Sequence, residues 1–422
     1  MDRLTARLRA AMWNGIAGAL PRVAVLLAGF YVAQRFGADA FARYSLALST
    51  LAVAGNLPGA TMTTVASKFV PEFSGGDAAR HGRGFAAIAL FAALLAGAVG
   101  TVLYVAAAPL ARLFAVAPPV DGLIRAAALP AVATVAAGGL AGLLVGSARF
   151  GTAAVAYMAG FALFAVAIVP LSDQFGIAGV LLALGLLYAG AALVSLGVSA
   201  PRLVADAAAP RLRERSRALA GFFAPTLIAA GLVAPVVWGV NALVSGGPEP
   251  LANLARFNAA YSWFAVASFV PAVLAQVEFV RMSQAKARGD TALLAREMRR
   301  FVLQNALVML PIALAGAALA WLLVGVYRLE GPAAERTLIL MLAAAFVASL
   351  GNPAGLFLAV IDRIWLASGL NVGWGIITLA LAWWLRDGGA QSVALAFLLG
   401  YAAHCIVATL IAQRLLAREP GS

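Results

Sequence analysis

Cysteine occurs once in this sequence, at Cys405, so the chain closes no intrachain disulfide and builds no thiolate metal cluster. Its histidines, His81 and His404, are too few and too separated for a metal site. Aspartate and glutamate number 17 against 30 lysines and arginines, and no acid lies in the middle of an apolar run. That absence removes the intramembrane acidic relay on which cation antiport depends. Nothing forms a nucleophile–base pair, a metal set or a phosphate loop, which argues against an enzyme and calls for no cofactor. Lysine itself is scarce, with arginine ahead 28 to 2; that usage accompanies GC-rich bacterial genomes by association, without a physical reason.

What the sequence holds in abundance is apolar length. Hydrophobic residues make up 63% of it and charged ones 11%, with a mean hydropathy of +0.95. Continuous apolar runs of about twenty residues recur throughout, the signature of an all-α polytopic membrane protein. A membrane β-barrel is excluded, because its runs would alternate. Twelve spans are expected, near 13–34, 44–66, 85–107, 123–146, 153–171, 177–198, 219–244, 257–279, 301–325, 336–360, 367–385 and 391–412. The net charge of +13 would suggest nucleic acid in a soluble chain. Here the basic residues flank spans, so no nucleic-acid partner is inferred. One set of connections, both termini included, carries 21 lysines and arginines, while the other carries eight. The positive-inside rule then puts both termini in the cytoplasm. No cleavable signal is expected, since the first span is long and no small-residue cleavage site follows it.

The basic stretch Ser199–Ala218, with Arg202, Arg211, Arg213, Arg215 and Arg217, falls at mid-chain. It reads as an amphipathic cytoplasmic linker on anionic lipid, between a lobe of residues 1–198 and a lobe of residues 219–422. The halves correspond at an offset of about 213: Pro58 faces Pro271, Lys68 faces Arg281, Arg43 faces Arg256, and Gly76-Asp77 faces Gly289-Asp290. At 214, Pro21 faces Pro235 and Arg149 faces Arg363. Six spans per half make such repeats parallel, so two six-helix lobes around a central cavity are expected, an alternating-access architecture.

Candidate functional residues follow from polar groups at membrane depth. Arg22 falls about 14 Å below Trp13 in the first span, at ~1.5 Å per residue, where a charge is costly unless it meets a wet cavity or a bundle interior. Asn14, Gly18 and Arg22 share one helix face, and Pro21 frees a backbone carbonyl beside the charge. The alternative is a structural arginine tied to neighbouring carbonyls. Lys68 and Arg281 end spans 2 and 8 in matched positions, either as ordinary flanking anchors or as a basic collar at an inward-facing cavity. Asn56, Asn241, Asn258 and Gln276 serve interhelical hydrogen bonding by default and sugar contact as the alternative. Glu278 beside Arg281 and Asp362 beside Arg363 read as boundary ion pairs. His404 reads as a packing residue, and Gly138, Gly142 and Gly146 as a close-packed helix face. The loop Gly76-Asp77-Ala78-Ala79-Arg80-His81-Gly82-Arg83 resembles the Gly-Asp-Arg-Gly-Arg turn of major-facilitator transporters, but it is longer and its repeat partner lacks the Arg-Gly-Arg part.

Phe36-Gly37-Ala38-Asp39-Ala40-Phe41-Ala42-Arg43-Tyr44-Ser45, Gly59 through Val65, Lys68-Phe69-Val70-Pro71-Glu72 and Gly75-Gly76-Asp77 carry a further resemblance. They are similar to the polysaccharide-biosynthesis exporters, the O-antigen-type flippases of the multidrug/oligosaccharidyl-lipid/polysaccharide (MOP) superfamily. The motif match covers about the first ninety residues, and the six-plus-six span pattern extends it to the whole chain. The resemblance implies a MATE-like fold and flipping of a polyprenyl-diphosphate-linked oligosaccharide across the bacterial inner membrane. Its expected partners are that anionic lipid-linked glycan, membrane lipids, and a polysaccharide polymerase or glycosyltransferases. Carried over by position, the cavity-lining basic residues are Arg22 and Lys68. Cation-coupled multidrug efflux, a major-facilitator-type transporter and a membrane scaffold for polysaccharide assembly are the alternatives.

Overall fold

The computed structural model describes residues 2–74, 84–207, 212–230 and 232–418, and no strand forms among them. The loop Gly76–Arg83 with His81, and Arg211 of the basic stretch, lie outside the described residues. The helices of the first half are α1 (Asp2–Phe36), α2 (Ala38–Leu51), α3 (Leu57–Ser74), α4 (Phe85–Val105), α5 (Ala107–Arg112), α6 (Asp121–Gly146), α7 (Phe150–Phe175) and α8 (Ile177–Ala207). Those of the second are α9 (Leu212–Ala230), α10 (Val233–Ser245), α11 (Pro250–Ala267), α12 (Phe269–Ala287), α13 (Thr291–Ala318), α14 (Ala320–Gly325), α15 (Pro332–Val360), α16 (Ile364–Leu385) and α17 (Gly389–Arg418). Nine stretches among the described residues are long and apolar enough to cross a membrane, and one of them, Ile364–Ala417, contains both α16 and α17. With α2–α3 and α9–α10 as broken crossings, the twelve expected spans are all helical.

The second span is not the uniform helix expected for 44–66. Residues Ala52–Asn56 form a π-helical turn, in which the Leu57 N–H reaches back to the Ala52 carbonyl. Pro58 follows directly, and its missing N–H already interrupts the regular ladder there. This crossing is also rich in hydroxyls, which find acceptors one turn back in their own helix. Thr50 donates to Leu46 O at 2.8 Å, Thr61 to Leu57 O at 2.9 Å and Ser67 to Thr63 O at 2.7 Å. Self-satisfaction of this kind lets a polar segment lie in an apolar medium.

Clustering of contacts divides the chain into two compact units, Met1–Phe36 with Arg43–Trp238, and Gly37–Ala42 with Gly239–Ser422. In the first, α6 runs parallel to α3 with almost no side chain between them. A Cβ on Gly138 would stand 2.1 Å from the Gly59 carbonyl oxygen, one on Gly142 would stand 2.7 Å from the Ala66 Cβ, and one on Gly146 would stand 2.8 Å from the Val70 Cβ. Thr63 Oγ1 donates to Gly138 O at 3.1 Å across the same seam. The expected close-packed glycine face is therefore present, and its partner is α3. Helix α9 packs on α3 and α4 through Phe69–Phe222 and Phe91–Phe223 edge contacts at 5.8 and 5.7 Å. The basic stretch 199–218 is helical where described: α8 continues to Ala207, and Arg202 lies 5.5 Å from the Phe85 ring.

The second unit is held by α15 against α17, by an aromatic cluster and by buried amides. Phe257, Tyr261, Phe264, Trp374, Phe397 and Tyr401 interlock α11, α16 and α17, with Trp374 and Tyr401 centroids 4.7 Å apart. Asn305 on α13 is fully buried and donates to Ser349 O on α15 at 2.8 Å. The internal repeat is visible in the backbone of each unit. Ala148 and Asp362 both adopt left-handed φ, at 56° and 61°, immediately before α7 and α16. Gly176 and Gly389, at 58° and 70°, stand in matched positions at the starts of α8 and α17. Short breaks after Val105 and Ala318 likewise recur at the same point of each half.

Candidate functional site

Helix α1 lies along α7 in a parallel sense, because contacts advance together in both. The Trp13 indole packs at Gly151, Tyr31 Oη and Ser172 Oγ are 2.7 Å apart, and Arg35 pairs with Asp173 at 3.1 Å. Between those points sits Arg22, with an exposed side chain whose Nη1 donates to Gly18 O at 2.8 Å. A Cβ on Gly18 would stand 3.4 Å from Nη1, an ordinary van der Waals contact. The phenol of Tyr188 on α8 is within electrostatic reach of Arg22, and Tyr157 on α7 is within reach of Tyr188. The Arg22 guanidinium, exposed and a donor at every nitrogen, offers a binding surface for an anion. Asn14 is half-buried two turns earlier on the same face.

The other expected residues are spread along both units. Asn56 closes the π-helical turn, and its Oδ1 is buried with no hydrogen-bond partner. The Lys68 ammonium lies 3.8 Å from the centroid of the Phe222 ring and 5.3 Å from that of Phe69, so α9 caps it by cation–π contact. Asn258 is buried and gives its amide N–H groups to Asn241 Oδ1 at 2.8 Å and Leu254 O at 2.9 Å, which is interhelical packing. Gln276 belongs to α12, but its side chain lies outside the described residues.

Arg281 donates to Glu278 Oε1 at 2.7 Å, the boundary ion pair expected from their spacing. Its carboxylate is far less exposed than a boundary residue should be, at 2%, and Oε2 has no hydrogen-bond partner. Asp362 differs from expectation: its carboxylate accepts from Lys286 rather than from the adjacent Arg363, because the left-handed turn at 362 aims it toward α12. His404 Nδ1 stands 3.3 Å from Leu370 O, a packing contact between α17 and α16. Arg43, from the motif after span 1, donates through both guanidinium nitrogens to the carbonyls of Ala117 and Pro118. Its repeat counterpart Arg256 bonds Asn253 Oδ1 at 3.3 Å and Glu249 Oε2 at 3.4 Å. Both are anchors of a loop or helix start.

No protein-family model matches the chain, and no curated protein sequence matches it either. Solved structures do. A multidrug-resistance MATE transporter of the MOP superfamily in an inward-facing conformation superposes with a TM-score of 0.81 at 13% identity, over 96% of this chain and 98% of that one. An outward-facing MATE transporter of the same superfamily gives 0.66 at 15% identity, over 98% and 96%. A MOP superfamily transporter from Pyrococcus furiosus gives 0.67 at 15% identity, over 98% and 96%. The fold is the MATE fold. Within it, Tyr188 and Phe222 are the neighbours of basic residues that sequence reasoning missed, and Tyr157 stands within reach of Tyr188. The two tyrosines lie inside otherwise apolar spans 5 and 6, a signal present but indistinguishable from ordinary packing aromatics in this MATE-like chain. Phe222 carries no signal at all, since nothing in sequence brings α9 to α3.

Proposed function

We propose that this chain is an alternating-access flippase moving a polyprenyl-diphosphate-linked oligosaccharide across the bacterial inner membrane, with both termini cytoplasmic. The observation that carries the reading is Arg22, a guanidinium midway along an apolar crossing with tyrosines at hand. Bringing a diphosphate into low dielectric requires counter-charge, and a planar fork meets phosphate oxygens in pairs. The polyprenyl tail stays in lipid while the headgroup crosses the membrane. Lys68 and Arg281 are further cations for the headgroup, one in each unit, and Asn14 and Asn56 supply amides for sugar hydroxyls. A polysaccharide polymerase or glycosyltransferases would hand over or receive the product. No carboxylate lies in the middle of an apolar run of the sequence, which weighs against a cation-driven drug antiporter.

The second reading is cation-coupled efflux of hydrophobic compounds, and Glu278 is the observation that favours it, being a buried acid in α12. Among the structural neighbours, reversed polarity of the binding pocket is said to suggest a different function for the protein from Pyrococcus furiosus. Pocket charge can thus separate functions on this fold, and the basic character here supports the anionic substrate. The test is a reconstituted assay of transbilayer movement. Proteoliposomes holding the chain should flip a fluorescent polyprenyl-diphosphate sugar, and Arg22→Ala liposomes should not. Movement of cationic dyes with no movement of the lipid-linked sugar would overturn the proposal in favour of efflux.

A further inference from the structure

Among the described residues, Glu278 is the buried acid that the proposed transport path leaves unexplained. It lies on the face of α12 that also carries Met282 and Ala285, both fully buried against Leu294 and Met298 of α13 and Phe357 and Leu358 of α15. One carboxylate oxygen accepts from Arg281 at 2.7 Å, and the other is buried with no hydrogen-bond partner. Arg281 is the outward half of the pair: 41% of its side chain is exposed against 3% for Glu278. An incoming anion can therefore reach the guanidinium from the side that Glu278 does not occupy.

The charges around this pair are sparse. Helix α15 has no charged residue between Arg336 and Asp362, and Asp362 is held by Lys286. On α13, Arg296, Glu297, Arg299 and Arg300 all precede Phe301, and Glu297 pairs with Arg300 at 3.8 Å. Helix α11 has none after Arg256; on α17 His404 turns to Leu370, and Arg414 and Arg418 follow in its last turns. Arg281 is the group that Glu278 bonds, and a buried carboxylate deprived of its counter-ion is strongly disfavoured.

The geometry points to an exchangeable ion pair: a diphosphate headgroup takes Arg281 over, and the stranded Glu278 carboxylate is neutralised by one proton from water. The inference rests on the proposed anionic substrate and deepens it. The balance is simple. The Arg281–Glu278 contact breaks, the Arg281–phosphate contact forms, and hydronium gives its proton to a Glu278 oxygen and leaves as water. Substrate anion and proton therefore bind together, so the affinity for the anion falls as pH rises.

Calorimetric titration of the full chain in detergent with geranylgeranyl diphosphate, in buffers of different ionisation enthalpy, tests this. Wild type should take up about one proton more per diphosphate bound than Glu278→Gln does. The glutamine variant, which keeps the acceptor oxygen for Arg281, should bind the probe at least as tightly. Glu278→Asp should restore the proton uptake. Arg281→Gln should bind about tenfold more weakly and show no linked proton, and it answers the question even where Glu278→Gln does not fold. Equal proton counts in wild type and Glu278→Gln would overturn the exchange while leaving diphosphate binding intact. So would loss of probe binding in a folded Glu278→Gln protein. Flat titrations in wild type and both Glu278 variants would instead remove the anionic-substrate reading, and this inference with it.

Discussion

Replacing Gly138 by alanine puts the α3–α6 seam to a direct test. The added Cβ would stand 2.1 Å from Gly59 O and 2.7 Å from Gly59 C. A carbon rests about 3.3–3.6 Å from a carbonyl oxygen, so the helices must part by roughly 1.2 Å at that level. Neither contact atom belongs to a flexible side chain, so the backbone itself must move. Overpacking of this kind costs about 1–3 kcal/mol. Stretching the Thr63–Gly138 bond adds about 1 kcal/mol. Against these stands the helix-propensity gain of alanine over glycine, about 1 kcal/mol. The balance is a loss of about 2 kcal/mol. Gly97 in α4 supplies the control, since a Cβ there meets nothing within 4 Å. Gly97→Ala should leave stability unchanged or raise it by about 0.5–1 kcal/mol. Thermal denaturation of the purified chain in one detergent, followed by tryptophan fluorescence, compares the two. Equal stability of Gly138→Ala and Gly97→Ala would show that the helices do not approach as described.

Further outcomes are expected at the basic residues. Arg22→Ala should abolish flipping while shifting the melting temperature by no more than about 2 °C, because its side chain is exposed and its removal opens no core cavity. Arg22→Lys should keep part of the transport rate, since a point charge replaces a fork; wild-type transport by a folded Arg22→Ala protein would refute its role. Neutralising Lys68 and Arg281 together to glutamine should slow lipid-linked sugar movement by about tenfold or more, whereas Arg414 and Arg418 treated alike should have little effect; equal losses would reduce the pair to membrane anchors. Arg43→Ala should destabilise the loop at Ala117–Pro118 by on the order of 1 kcal/mol, read as faster proteolysis there; unchanged cleavage would deny the anchor.

The twelve crossings were legible because long apolar runs state their length and position directly. The repeat was legible too, from the spacing of Pro58 with Pro271 and Lys68 with Arg281, and the left-handed residues at 148 and 362 extend it to positions with no sequence likeness. What lay beyond reading was set by which helices touch. Glu278 looked like a span-end acid, because the side to which α12 turns its 278–282–285 face depends on α13 and α15. Asp362 looked like the partner of Arg363, but the backbone at 362 is left-handed and sends its side chain to Lys286. The unit boundary at Trp238 was invisible for the same reason: α9 joins α3 and α4 through ring contacts that no local pattern announces. Lys68 was recognised as a cation, but Phe222, which covers it, was not.

The self-bonded hydroxyls of α2 and α3 have a consequence for biogenesis. A crossing so rich in serine and threonine partitions weakly into lipid when it leaves the translocon, and its small-residue face has no partner until α6 is made. From Ser74 to Gly146 the ribosome adds about 72 residues, which takes on the order of 4–14 s at bacterial or eukaryotic elongation rates. During that interval α3 must be sheltered by α4, by lipid or by an insertase, and a pause between the two helices would lengthen its exposure. Slow codons placed after Ser74 should therefore lower the yield of inserted protein more than the same codons placed after Gly146.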